Sequence, residues 1–338
     1  MDNLPLVSVI MPVRNEAAYI ARSLGAILDQ DYPADRLEIL VVDGMSDDGT
    51  REYVLARQSD HPCLRLLDNP RGIVPPGLNI GIRQAHGDII VRVDGHCEVA
   101  PDYVRRCVAH LLAGEAEAVG GPIETIGESD EAQAIALAMS SWFGVGGSAF
   151  RTVKDRAMLV ETVAFPAYTR QTLERLGPFD EELVRNQDDE YNYRLLKSGG
   201  RVLLAPDVRA RYYSRSSLRS LWRQYYQYGY WKVRVMQKHP RQMRARQFAP
   251  PAFVAALLGS AALGVLFRPF RLLLGIVVAL YLIANLMASM SVGRAHGMEY
   301  APRLAIIHPI LHLSYGLGFL AGLWRFVVRP QPAKQSDS

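Results

Sequence analysis

Val91-Arg92-Val93-Asp94-Gly95-His96 reads as the end of a buried, β-branched strand that carries two residues able to bind metal, Asp94 and His96, into a turn. A second acidic cluster, Gln187-Asp188-Asp189-Glu190, lies far downstream, where carboxylates occupy the start of a helical stretch. A strand tip that offers an ion a carboxylate and an imidazole, with a remote carboxylate to add, suits chemistry on a diphosphate leaving group.

The segments before that strand tip set its fold. Leu6 to Met11 is a short apolar run that stops at Pro12 and reads as a strand. Asn15 to Leu28 has helical periodicity, with Asn15 as its N-cap and Glu16 in its first turn. Strands at Leu37 to Val42, Cys63 to Leu67, Asp88 to Val93 and Ala116 to Gly120 then alternate with helices at Thr50 to Gln58, Pro75 to Ala85 and Pro101 to Ala113. This alternation predicts an α/β fold, a Rossmann-like, mostly parallel sheet with helices on both faces. Ligands of such sheets lie beyond the carboxyl ends of the strands. Arg14, Asn15, Glu16, Asp43, Asp94 and His96 occupy those ends and are expected to converge on one edge.

The chain has 338 residues, 38 basic and 34 acidic, and three cysteines, Cys63, Cys97 and Cys107. The cysteines have no metal-type spacing and are too sparse for a disulfide framework, so a reducing compartment is expected. The even charge balance hides a local excess: thirteen Lys or Arg and one acidic residue between Lys197 and Gln247. No nucleic-acid motif accompanies it, and basic residues beside an apolar region suit an anionic membrane face. Met1 to Pro5 lacks the charged and apolar regions of a signal peptide, which places the N-terminal domain in the cytosol as an expectation.

Gly144 to Ser148 reads either as a flexible loop near an acceptor or membrane, or as a plain surface loop. Ser216 to Gln237 is helical, aromatic and basic; it suits a bilayer interface or packing on the sheet domain. Three apolar segments follow, Pro251 to Phe267, Leu272 to Met290 and Leu304 to Val328. The last two reach the roughly 20 residues that a spanning helix needs. Three spans would put the C-terminus across the membrane, and a re-entrant first pair would not. The expected organisation is a catalytic domain over 1–215, an interfacial helix and basic linker over 216–247, a membrane region over 248–328 and a disordered tail over 329–338.

Val7-Ser8-Val9-Ile10-Met11-Pro12-Val13-Arg14-Asn15-Glu16, Val41-Val42-Asp43-Gly44, Asp48-Gly49-Thr50, Asp94-Gly95-His96 and Asp188-Asp189-Glu190 together resemble the family 2 glycosyltransferases of the GT-A fold. The Asp-Gly-His variant, the Tyr-rich segment from Gln224 to Trp231 and the short apolar tail look most like the succinoglycan-biosynthesis glucosyltransferases of bacterial exopolysaccharide pathways. The resemblance implies an inverting, metal-dependent transfer of a hexose, glucose from a UDP-sugar, onto a lipid-linked saccharide. It also implies a bacterial inner membrane location with a cytosolic catalytic domain, and it allows a homo-oligomer or a pathway complex. Asp94 and His96 take the place of the family's D-x-D motif and would hold Mn²⁺ or Mg²⁺; the imidazole favours Mn²⁺ over oxygen-seeking Mg²⁺.

On the same resemblance Asp43 would accept a hydrogen bond from uracil or ribose, and Pro12, Arg14 and Glu16 would line the nucleotide. Asp188 is the candidate base that takes the acceptor's proton, with Asp189 as the alternative because Gln187 replaces the usual acid. Asp48 reads as a structural cap. Arg71 and Arg92 either meet a phosphate or form ion pairs. Gln224, Tyr228 and Trp231 occupy the region of the Q-x-x-R-W motif of processive members without reproducing it; their rings suit acceptor sugars or the lipid interface. The competing readings are a transferase whose acceptor is a polyprenyl monophosphate, and a catalytically silent membrane scaffold.

Overall fold

The computed structural model describes residues 4–214 and 216–329. The tail expected over 329–338 lies outside the described residues apart from Arg329. The elements run β1 (Val7–Val13), α1 (Ile20–Leu28), β2 (Leu37–Asp43), α2 (Thr50–Gln58), β3 (Leu64–Asp68), α3 (Val74–Gln84), β4 (Ile89–Arg92), β5 (Cys97–Val99), α4 (Tyr103–Leu112), β6 (Ala118–Gly121) and β7 (Ile123–Ile126). They continue as α5 (Asp130–Ser140), α6 (Trp142–Val145), α7 (Ala149–Thr152), β8 (Met158–Leu159), β9 (Ala164–Thr169), α8 (Arg170–Leu176), α9 (Gln187–Lys197), β10 (Val202–Leu204) and β11 (Ala210–Tyr213). Four long helices close the chain: α10 (Leu218–Lys238), α11 (Ala249–Gly264), α12 (Arg268–His296) and α13 (Ala301–Leu323).

The chain divides into two compact units, residues 1–125 with 148–213, and 126–147 with 214–338. The single catalytic piece expected over 1–215 is therefore interrupted: α5 and α6 pack with the C-terminal helices. Their apolar faces explain it, since Ala134, Ile135, Ala138 and Met139 of α5 are buried.

The first unit is built on an eight-stranded sheet in the order β3-β2-β1-β4-β9-β6-β10-β8, with β5, β11 and β7 forming a small second sheet. β1 pairs parallel with both β2 and β4. The strand order reverses at β1, so the crevice beyond β1 and β4 is the topological switch point where ligands of such sheets bind. β9 enters antiparallel between β4 and β6. β1 continues through Pro12, with Pro12 beside Val42 and Val13 beside Asp43, which carries the strand to the crevice.

The helix expected from Asn15 begins only at Ile20, with no side-chain cap. Asn15 has positive φ (54°) and is no N-cap. The loop 14–19 finds its partners in the next strand-end turn instead. The backbone N–H groups of Asn15, Glu16 and Ala17 donate to Ser46 Oγ, Thr50 Oγ1 and Asp48 Oδ2 at 2.9, 2.8 and 2.9 Å. Asp48 also accepts from the Thr50 N–H and hydroxyl, so its capping role extends across two loops. The helix expected from Pro101 begins at Tyr103; of the segment Gly144 to Ser148, the first two residues end α6, and Gly146 to Ser148 separate it from α7, with left-handed backbone at Gly146 and Gly147.

His110 on α4 holds Glu115 through Nδ1 and Asp207 through Nε2, both at 2.9 Å. Burial opposes the charged ring, but the two carboxylates outweigh it and raise its pKa. A raised folded-state pKa adds stability that is complete below the unfolded value of about 6.5 and vanishes as pH rises through the folded value. Thermal melts of His110→Gln are therefore expected to fall furthest below the parent near pH 5.5, with the gap narrowing toward pH 9; a gap independent of pH would contradict the ion-pair account.

Candidate active site

Arg92 organises the crevice. It is the last residue of β4, with 6 % of its surface exposed. Its Nε donates to Asp94 Oδ1 at 2.9 Å, its Nη2 pairs with the same oxygen at 2.9 Å, and its Nη1 donates to Asp188 Oδ1. One guanidinium fork thus holds the strand-tip carboxylate and the helix-start carboxylate together. Asp94 follows two residues past the end of β4, where the Val93 N–H still donates to the Ile10 carbonyl at 3.1 Å, and Asp188 arrives on the first turn of α9, whose N-terminal dipole suits a carboxylate. Gln187 and Glu190 on the same turn are buried, and Glu190 pairs with Arg194 at 2.9 Å, one helical turn on.

His96 follows Asp94 by two residues. Its Nδ1 meets Glu16 Oε1 at 2.9 Å, and its ring stands edge-on to Tyr212 with centroids 5.1 Å apart. Burial opposes protonation, yet the Glu16 hydrogen bond and the surrounding negative groups lift the ring's pKa to about 9, so it carries a proton near neutrality. Gly95 allows this approach: a Cβ there would stand 2.9 Å from Val13 Cγ1 and 3.0 Å from Glu16 Cγ. The Gly95 carbonyl in turn accepts from Ser23 Oγ at 2.6 Å, tying the turn to α1.

Among the described residues, no three His, Cys, Asp or Glu side chains gather closely enough to cage an ion. A small divalent cation that shares substrate phosphates needs only one or two protein ligands. Asp94, as a carboxylate at a strand end, fits that arrangement. His96 fits it once its ring gives up its proton and its bond to Glu16.

The remaining expected residues are distributed as follows. Pro12 is buried within β1. Arg14 is exposed and donates from Nη1 to the Gly72 carbonyl at 3.0 Å. Asp43 is fully buried and turned into its own loop, where it accepts from the Ser46 N–H and, at 2.5 Å, from the Ser46 hydroxyl, and pairs with Arg51 at 3.3 Å. Arg71 pairs with Glu181, and Arg92 with Asp94 and Asp188.

Gln224, Tyr228 and Trp231 belong to the second unit. Gln224 Nε2 donates to the Tyr228 hydroxyl at 3.1 Å, and Trp231 packs on Tyr230 and Phe326. Their helix α10 is seated on α13 through glycines: a Cβ on Gly229 would lie 2.0 Å from the Tyr315 carbonyl oxygen.

The sequence matches the family described as Glycosyl transferase family 2 over residues 8–177. It is 28 % identical over 326 residues to the succinoglycan biosynthesis protein ExoA of Rhizobium meliloti, covering 94 % of this chain and 93 % of that protein. It is 30 % identical over 240 residues to a dolichyl N-acetyl-α-D-glucosaminyl phosphate 3-β-D-2,3-diacetamido-2,3-dideoxy-β-D-glucuronosyltransferase of Methanococcus voltae, covering 69 % of this chain and 74 % of that one. In fold it resembles the mannosyltransferase PcManGT of Pyrobaculum calidifontis, solved with GDP-Man and Mn²⁺, at a TM-score of 0.62 and 23 % identity over 96 % of this chain and 88 % of that one. With the GT-A sheet, the crevice at its switch point and these relatives in view, the chain is a glycosyltransferase of family 2, related to transferases of exopolysaccharide and lipid-linked glycan synthesis.

Proposed function

We propose that the chain moves a hexosyl group, glucose from UDP-glucose, onto a lipid-linked saccharide at a membrane surface, with inversion at the anomeric carbon. The observation that carries this reading is the Arg92 fork, which keeps Asp94 and Asp188 within one guanidinium's reach. A divalent cation held by Asp94 and His96 would neutralise charge on the departing diphosphate. Asp188 would take the acceptor hydroxyl's proton during a single displacement, for which one base suffices. Arg92 orients both carboxylates and supplies fixed positive charge beside the leaving group. The names of the two relatives, one in succinoglycan synthesis and the other acting on a dolichyl-phosphate-linked sugar, support an acceptor of that class, and the GDP-Man and Mn²⁺ of the fold neighbour support a nucleotide-sugar donor with a divalent ion.

Three described helices are long and apolar enough to cross a membrane, Ala245–Gly264, Arg268–His296 and Met298–Val328, which fits a carrier held in a bilayer. The test is a thermal-shift panel of UDP, GDP, UDP-glucose and GDP-mannose with Mn²⁺, Mg²⁺ or EDTA on the full chain. UDP compounds with Mn²⁺ are expected to stabilise most, by about 2.7 kcal/mol at a hundredfold excess over Kd. Preference for guanine would replace the donor, and no response to any nucleotide would favour the silent scaffold.

A further inference from the structure

The three apolar helices of the second unit are not equivalent. In the most apolar stretch of α12 only 11 % is buried, against 44 % for the helix that contains α13. The exposed apolar surface concentrates on the hairpin of α11 and α12, whose tip presents Val265 and Leu266 at 79 % and 76 % exposure. α13 is instead the central helix of its unit, and it changes partners midway.

The first half of α13 runs against the second half of α12. Asn285 Nδ2 donates to the Ala305 carbonyl at 2.8 Å, His308 Nδ1 lies 3.1 Å from Asn285 Oδ1 and 3.3 Å from Ser289 Oγ, and the Tyr281 hydroxyl meets His312 Nδ1 at 2.9 Å. Beyond His312 the helix meets α10 on one side and the start of α11 on the other, where a Cβ on Gly316 would lie 2.5 Å from Val254 Cγ2 and 2.7 Å from the Pro250 carbonyl oxygen. A Cβ on Gly318 would lie 2.0 Å from the Tyr226 carbonyl oxygen and one on Gly322 2.5 Å from that of Tyr230, while Gln237 Nε2 donates to the Phe326 carbonyl at 3.1 Å. These contacts advance together in both helices, so α10 and α13 run parallel. α10 carries Arg219, Arg223, Lys232, Arg234 and Lys238. Each such charge costs about 2.5–3.5 kcal/mol at the centre of a bilayer, so the helix pair is unfit for hydrocarbon.

The hairpin has the opposite character. From Arg268 to Asn285, where α12 first becomes fully buried, the helix rises about 26 Å at 1.5 Å per residue, close to the roughly 30 Å of a hydrocarbon core. Arg268 and Arg271 at the tip would reach the far headgroups. The Asn285, Ser289 and His308 network, with Arg303 paired to Asp130 at 3.3 Å, would mark the near interface.

We infer that the α11–α12 hairpin alone crosses the lipid and that α13 returns along α10 on the near side, so residue 328 faces the same compartment as the catalytic unit. This rests on the membrane reading above, and its partner is a lipid bilayer.

Single cysteines at Glu174→Cys, Arg268→Cys and Val328→Cys would be labelled with an impermeant maleimide in right-side-out and inside-out vesicles. The reactivity of Cys63, Cys97 and Cys107 in the parent is subtracted. Positions 174 and 328 are expected to label from one face and position 268 from the other. Labelling of 328 opposite to 174 overturns the inference in favour of three spans, and labelling of 268 from the same face as 174 overturns it in favour of a hairpin that dips without crossing. Release of the chain by carbonate washing would instead overturn the membrane reading itself.

Discussion

Asp188→Asn is expected to lower kcat by about 10²- to 10⁴-fold, the range contributed by a positioned general base, while the stabilisation given by nucleotide and Mn²⁺ stays within twofold. The amide keeps an oxygen that can accept from Arg92, so the fork and the local packing survive and only the proton acceptor is lost. Asp189→Asn, the alternative base, should change kcat by less than fivefold, because the guanidinium holds Asp188 and Asp94 in one site. Initial rates with a radiolabelled donor and a lipid-linked saccharide read both variants. A rate for Asp188→Asn within threefold of the parent would remove the base from the mechanism. It would favour a phosphate acceptor, whose oxygen is already ionised and asks for no strong base.

Much of this was readable from the chain, and the failures have physical causes. α2 begins and ends where its periodicity places it, and α9 begins at the acidic cluster read as a helix start. The parallel strands β1, β2 and β4 were marked by β-branched runs, and β3 by a leucine-rich one, each ending in a polar turn. Asn15 misled because an Asn before a helical pattern is a good cap by local chemistry. Here Ser46, Asp48 and Thr50 from a separate loop satisfy the backbone instead, and no local pattern records a partner thirty residues away. β9 (Ala164–Thr169) contains Pro166 and lacks alternation, so its antiparallel entry beside β4 was silent.

The packing of 126–147 with the C-terminal helices was equally hidden, because an alanine-rich segment shows what it can bury and not against what. Arg92 did leave a signal: it is a lone charge in the apolar run Ile89 to Val93, two residues before Asp94. The period of a strand sends both side chains to one face, and an arginine buried there needs carboxylates. That spacing joins Arg92 to Asp94 from the sequence alone, whereas Asp188, 96 residues on, leaves no such local mark.

That joint is the most sensitive point of the first unit. Arg92→Met is expected to destabilise it by about 3 kcal/mol, the scale on which removing one partner exposes buried charges without compensation, and to reduce transfer at least a hundredfold. Methionine is the informative replacement. The arginine stem lines a small apolar void with Ile10, Leu78, Tyr168 and Phe179, and a flexible thioether can still fill it, so the deficit reports the lost charge and not a lost contact. Urea melts of Arg92→Met, Asp188→Asn and the double variant form the decisive cycle. If the guanidinium acts by holding the two carboxylates, Arg92→Met should be milder once Asp188 is already neutral, with a coupling of at least 1 kcal/mol. Strict additivity would mean that Arg92 supports β4 by packing alone, and that Asp94 and Asp188 meet at the crevice without its help.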